Sequence, residues 1–419
     1  MTSAPSRFSS LTRAELATLV PELLLIGQLI DRSGMAWCIS SFGRPEMLQI
    51  AIEEWSGASP IYTRRMQKAL KYEGTDILTI FKGLQLDIGA PPQFMDFRYV
   101  VHDRWHGEFY LDHCGALLDV EPMGEDYVRG MCHDIEDPTF DATAVATNAR
   151  AQVRPIHRPP RTPSDRHPHC AWTVVIDDSH PEVTGLPPLA VIEKTIAADW
   201  ELAPIDPADE GQSDYSGPLV SDVDFAAFSK SALVRIADEV CLQMQLLNLS
   251  FVLAVKNRAT DAAQVADICT KQLTGVAGLG AERIRRALDL PGGADGVWAT
   301  LELHPLVNPT GYVDAEFSSG AMRVRRSAAH DDGTWIDLCG PGRTEALQAI
   351  TTAVDPGLTA VVTGNDADYQ LKVVVRDMEH YQHFLLDKLT HISGVTGVRS
   401  SFVLRRIKHK TALPLNHLG

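Results

Sequence analysis

The chain has 419 residues, 45% of them hydrophobic and 22% charged, with seven tryptophans. This is the composition of a folded globular protein, at a length where one core usually stops growing, so two domains are expected. A formal charge of −16 argues against a phosphate-tracking nucleic-acid surface. The opening MTSAPSRFSS lacks the parts of a signal peptide, and no uninterrupted apolar run approaches the ~18 residues of a membrane span. Seven cysteines, an odd number, fit reduced thiols, so a cytoplasmic protein without membrane contact is expected.

Residues 11–36 are apolar at helical spacing and predict a helix. Residues 45–56 and 59–72 predict two more, the latter opened by Ser59-Pro60 as N-cap and first helical residue. Phe97–Val101 and Glu108–Cys114 read as strands, Gly124–Asp134 as a helix ending before Asp137-Pro138, and 151–158 and 170–177 as further strands around a Pro-rich turn. Residues 178–224, rich in proline, acids and small residues, give the best boundary. The expected domains are therefore 1–177, a linker over 178–224, and 225–419.

The second part repeats the first. Glu22–Ile30 (ELLLIGQLI) resembles Glu239–Leu247 (EVCLQMQLL), Arg64–Leu70 resembles Glu282–Leu288, Ile80–Asp87 falls on Val297–His304, and Asp134–Ala142 falls on Thr352–Ala360. All four lie at an offset of 217 or 218. Such a period is far longer than a solenoid repeat, and it predicts two related lobes. The expected fold is α+β: two related helix-plus-antiparallel-sheet lobes, with a ferredoxin-like C-terminal part.

Ligand chemistry concentrates in the first lobe, between Leu111 and Cys170. Cys114, Cys132 and Cys170 stand beside His113, His133 and His169, with Glu121 and Glu136 nearby. Thiolate, imidazole and carboxylate together suit a zinc or iron site, or thiolate catalysis with a histidine base. On a helix Cys132 and His133 both share a face with Glu136. In the repeat register the second lobe lacks this set, with Ala328 near the place of Cys114 and Ile350-Thr351 near that of Cys132-His133. Arg154 and His157 lie on a basic strand suited to a substrate carboxylate.

The order LDHC, EPMG, MCHD and HCAWTVVI resembles the L-2-amino-thiazoline-4-carboxylate hydrolase family and, more distantly, the 4-vinyl reductase small-molecule-binding domain, over about residues 20–177. This resemblance implies a pocket for a small organic molecule, with hydrolysis of a ring carbon–nitrogen bond. Residues 361–415, VVTGNDADYQLKVVVRDMEHYQHFLLDKLTHISGVTGVRSSFVLRRIKHKTALPL, resemble the second half of the Lrp/AsnC effector domain. The shared features are a TG-x-x-D turn, a helix through Tyr381 and Phe384, Gly394-Val395 and a strand ending LPL. That implies a ferredoxin-like unit that pairs into dimers and binds a small effector. A segment resembling that family's DNA-reading element, 57–74, reads instead as a core helix with a basic outer face.

The leading expectation is a cytosolic hydrolase of a small carboxylate-bearing molecule, acting through a metal-bound water or a Cys114 or Cys132 thiolate. His113, Cys132, His133, His169 and Cys170 are the candidate ligands of a divalent metal, zinc or iron. Cys114, Glu121 and Glu136 are the candidate catalytic groups, and Arg154 and His157 would hold the substrate. The alternative is a non-catalytic, small-molecule-sensing regulator of Lrp/AsnC type with a structural metal site. A homodimer is expected and nucleic acid is not an expected partner.

Overall fold

The computed structural model describes residues 5–318, 320–363 and 377–389. Residues Met1–Val362 form one compact unit and Thr363–Gly419 a second.

The first unit is built on four long helices. Helix α1 (Arg13–Phe42) opens on a capping box in which the Thr12 side chain accepts from the Glu15 N–H while Glu15 accepts from the Thr12 N–H. Helix α2 (Arg44–Ala69) follows after Gly43, and the shorter α3 (Ile77–Leu84) is capped by Asp76. Next come β1 (Met95–Val101), β2 (His106–Cys114), α4 (Gly115–Val120), α5 (Glu125–Arg129), a wide turn over Gly130–Ile135, and α6 (Glu136–Val145). Strands β3 (Ala151–His157) and β4 (Cys170–Ile176) complete an antiparallel sheet ordered β1-β2-β4-β3. Its inner face buries Phe109, Trp172 and Val174.

Segment 178–224 contains only the short α7 (Pro187–Ile192) and α8 (Ile196–Asp199), yet it packs onto the first unit. Its Tyr215 is buried against Tyr72 and donates its N–H to the Leu70 carbonyl at 2.7 Å. Then follow α9 (Lys230–Lys256), α10 (Ala262–Ala287), α11 (Gly293–Leu303), the hairpin β5 (Ala315–Ser318) and β6 (Ala321–Val324), α12 (Ala328–Asp332) and α13 (Glu345–Val354). Helix α9 is long and apolar enough to cross a membrane, but it is the buried centre of this unit.

Helix α1 packs on α10, α2 on α9, and α1 on α9, so the two halves of the sequence share one core. The repeat is visible atom by atom. A Cβ on Gly57 would meet Ser250 Oγ at 2.2 Å, and one on Gly275 would meet Ser33 Oγ at 3.1 Å. Gly57 and Gly275 are 218 apart, and Ser33 and Ser250 are 217 apart, so both crossings use the same device at the same register. The turns that end α2 and α10 also match, with Lys71 at φ 54° and Asp289 at φ 48°.

Two helix boundaries differ from expectation. Helix α2 runs through Pro60 instead of restarting there. Pro60 removes the donor that would meet the Ser56 carbonyl, and the packing of α2 on α9, with Ser250 donating to the Glu53 carbonyl at 2.8 Å one turn earlier, holds the helix together. Pro138 falls in the first turn of α6, where its missing N–H costs little, so helix continues to Val145.

In the second unit, α14 (Met378–Phe384) starts at Asp377, whose carboxylate accepts from the His380 N–H at 2.9 Å. This is the helix expected through Tyr381 and Phe384. The TG-x-x-D turn, Gly394-Val395 and the LPL strand lie outside the described residues.

Candidate ligand-binding site

Between α1, α2, the loop after α3, β1 and the α4–α6 segment lies a cavity of about 400 Å³, a size typical of small-molecule sites. Its wall is mostly apolar, with Met35, Trp55, Phe97 and Phe140 among the lining groups. The same wall includes the charged residues Asp31, Asp87, Glu136 and Arg32.

Helical spacing sets Gln28, Asp31 and Arg32 on neighbouring turns of α1. Arg32 pairs with Asp31 at 3.3 Å and with Asp119 at 3.5 Å, while its buried Nε has no partner among the described residues. Asp87 accepts from the Tyr62 hydroxyl at 2.9 Å and from the Gly89 N–H at 2.7 Å. Burial pushes the Asp87 carboxyl up to about 6, against the pull of those two donors. Glu136 is only 7% exposed and its Oε2 has no partner among the described residues. Burial, with Asp137 adding to it and Arg158 opposing, pushes its carboxyl up to about 8. Glu54, fully buried beside Asp31, has no partner for either oxygen among the described residues.

Of the site residues expected from sequence, only Glu136 lines this cavity. Cys114, Cys132 and Cys170 sit together in the sheet core and are each felt electrostatically by Glu136. Burial, and then Glu136, pushes the Cys114 thiol up to about 12 and those of Cys132 and Cys170 well above their usual range. Burial and the neighbouring Glu136 both oppose formation of the Cys114 or Cys132 thiolate that nucleophilic catalysis would use. These cysteines behave as small core residues.

Among the described residues, no three of the expected metal ligands bring their ligand atoms within 4.8 Å of one another. Among the described residues, the group of three ligand atoms lying within 4.8 Å of one another is His102, His106 and Glu108, near the turn of the β1–β2 hairpin. His113 is exposed one position before the buried Cys114, because adjacent strand residues face opposite sides. His133 Nε2 bonds the Pro159 carbonyl at 2.7 Å, and His169 stacks near His167 with ring centres 4.8 Å apart.

The remaining expectations resolve into ion pairs. Glu121 is held bidentately by Arg161 at 3.0 and 2.8 Å, so it is not a free base. Arg154 binds Asp141 at 2.9 Å on the surface, and neither it nor His157 lines the cavity. Sequence reasoning missed Gln28, Asp31, Arg32, Trp55 and Asp87. The usable signal was the polar interruption QLIDR inside an otherwise apolar helix.

Comparison with known proteins bears on the C-terminal unit. Residues 358–413 match the Lrp/AsnC ligand binding domain. The chain is 38% identical over 103 residues to the Bkd operon transcriptional regulator of Pseudomonas aeruginosa, covering 25% of this chain and 63% of that protein. It is 35% identical over 51 residues to the transcriptional regulator AzlB of Bacillus subtilis, covering 12% of this chain and 32% of that one. No solved structure matches. The chain thus spans less than two thirds of either relative. The fold class is α+β with antiparallel sheets, and the matched C-terminal domain is of the expected ferredoxin-like class. The resemblance of residues 20–177 to a hydrolase finds no counterpart among these matches, and the hydrolase reading is overturned by relatives that are transcriptional regulators.

Proposed function

We propose that the protein is a non-catalytic, small-molecule-responsive regulator in the cytoplasm whose C-terminal unit binds an effector and mediates self-association. The observation that carries this reading is the Lrp/AsnC ligand binding domain match over 358–413, with two transcriptional regulators as relatives. The first unit supports it by what it brings together: its cysteines are protonated core groups, and Glu121 is committed to Arg161. Regulation through DNA contact by the 57–74 segment is disfavoured. Ala58 to Thr63 are buried in α2, and Arg65 is bound to Glu239.

The test is sedimentation velocity of the full chain across protein concentration, with and without a panel of the proteinogenic amino acids, beside equilibrium dialysis of each. A dimer or larger assembly whose distribution shifts with an amino acid that binds is the expected result. A monomer at all concentrations that binds none of them overturns the reading.

A further inference from the structure

The second half of the chain shows what the α1–α2 environment becomes when it serves packing alone. At an offset of 217, Asp31 corresponds to Asn248 and Asp87 to His304; at 218, Glu54 corresponds to Gln272 and Tyr62 to Gly280. The geometry repeats with the residues. Gly89 N donates to Asp87 at 2.7 Å, and Leu306 N, 217 residues on, donates to His304 Nδ1 at 3.0 Å. His304 Nε2 then reaches the Ala277 carbonyl at 3.2 Å, over Gly280, where the first half has the Tyr62 ring. Asn248 Nδ2 bonds Gln272 Oε1 at 3.4 Å. Neutral amides and an imidazole thus fill the second copy, whereas the first holds Asp31 and Asp87 in the wall of an open cavity, with Glu54 buried beside Asp31.

Acids there are costly for folding, since an amide set at the same register packs without buried charge. The lining carries Asp31, Asp87, Asp119, Asp126 and Glu136 against Arg32 and Arg44. Arg44 is held by Asp126 at 3.7 Å, and Arg32 by Asp31 and Asp119. Among the described lining residues Asp87 and Glu136 have no cation partner, and Glu136, which lines the cavity, has a buried and unpartnered Oε2.

We propose that this cavity is a binding site for a small organic cation, a primary amine on an apolar body, with the ammonium between Asp87 and Glu136 and the body against Trp55, Phe97 and Phe140. The ammonium supplies both carboxyls with a charged donor, beyond the neutral Tyr62 and Gly89 donors that Asp87 already has, and the aromatic wall takes the hydrocarbon. The site is distinct from the C-terminal effector domain. It also reverses the charge expected from Arg154, which would have called for an anion.

The test is isothermal titration calorimetry on the full chain at pH 7 with hexylamine, cyclohexylamine and 2-phenylethylamine, each beside the alcohol and the carboxylate of the same skeleton. At least one amine is expected to bind about tenfold or more tighter than its alcohol, with its carboxylate not binding. Glu136→Gln should weaken that amine by about tenfold, and Asp87→Asn serves as the second variant if Glu136→Gln alters folding, which melting curves check. Glu125→Gln, at an exposed residue paired with Arg129, should leave binding unchanged. The proposal is overturned if no amine of the panel binds, if an alcohol or carboxylate matches its amine, or if binding survives both cavity variants.

Discussion

Arg65 on α2 reaches Glu239 on α9 at 2.9 Å, and 218 and 217 residues away the same contact recurs inverted, with Arg283 on α10 reaching Glu22 on α1 at 2.6 Å. The two pairs differ in burial: Glu239 is almost sealed from solvent, whereas Glu22 and Arg283 are about a quarter exposed. Arg65→Ala should therefore cost about 2–3 kcal/mol in urea unfolding, because it strips a donor from a buried carboxylate that then keeps only Arg235. Arg283→Ala should cost under about 1 kcal/mol, as partly exposed pairs do. Equal losses would mean that solvent reaches both alike.

Glu136 gives a pH signature. Its folded carboxyl titrates near 8, above the usual value of 4.5, so between these limits the folded state holds a proton that the unfolded chain has released. Stability from this group is fully present below about pH 4.5 and is lost as pH rises through about 8. Glu136→Gln, which stays neutral, should flatten this slope and raise stability at pH 8 relative to wild type by about 4 kcal/mol. Urea midpoints at pH 6 and pH 8.5 for both proteins would show it. Parallel curves would show that the group is not buried in solution.

His304 works in the opposite direction. Burial holds its imidazole down to about 4, against the Ala277 carbonyl, so the folded state resists a proton that the unfolded chain takes up near 6.5. Its contribution is present above about pH 6.5 and is lost as pH falls toward 4. His304→Gln should reduce the acid sensitivity of the melting temperature between pH 6.5 and 4.5, even if it lowers stability at pH 7.5.

Gly27 lies where a Cβ would stand 2.5 Å from both Cβ and Cγ2 of Ile88. Gly27→Ala should cost about 1–3 kcal/mol despite alanine's better helix propensity, because the loop carrying Asp87 must move. Ile88→Ala in the same chain should return part of that loss, a coupling readable in a double-mutant cycle.

The thiols can be counted chemically. Six of the seven cysteines are buried and Cys339 is partly so. Native protein should react with a thiol-specific disulfide reagent at Cys339 first, with Cys114, Cys132 and Cys170 reacting at the rate of unfolding. Rapid modification of Cys132 in native conditions would refute the sealed sheet core.

Much of the architecture was legible in the sequence because it rests on periodicity: the four strands of the main sheet, the long helices and the 217-residue repeat. The site was less so. Cys132, His133 and Glu136 share a helical stretch, but only the wide turn at Gly130–Ile135 fixes which of them faces the sheet core and which the cavity. Asp31 and Asp87 are 56 positions apart, and only the packing of α1 against the loop after α3 joins them. Glu121 and Arg154 looked functional by residue type, and their partners Arg161 and Asp141 come from chain distant enough that spacing could not assign them.

The exchange of partners between repeats bears on how the chain is made. Helices α1 and α2 leave the ribosome with no α9 or α10 to lie against, and the end of α10 follows the end of α2 by 218 residues. At about 5–20 residues per second that interval is on the order of 10–40 s. During synthesis the apolar faces of α1 and α2 must be shielded by chaperones or by each other, and a chain stopped before Lys230 has nothing with which to close them.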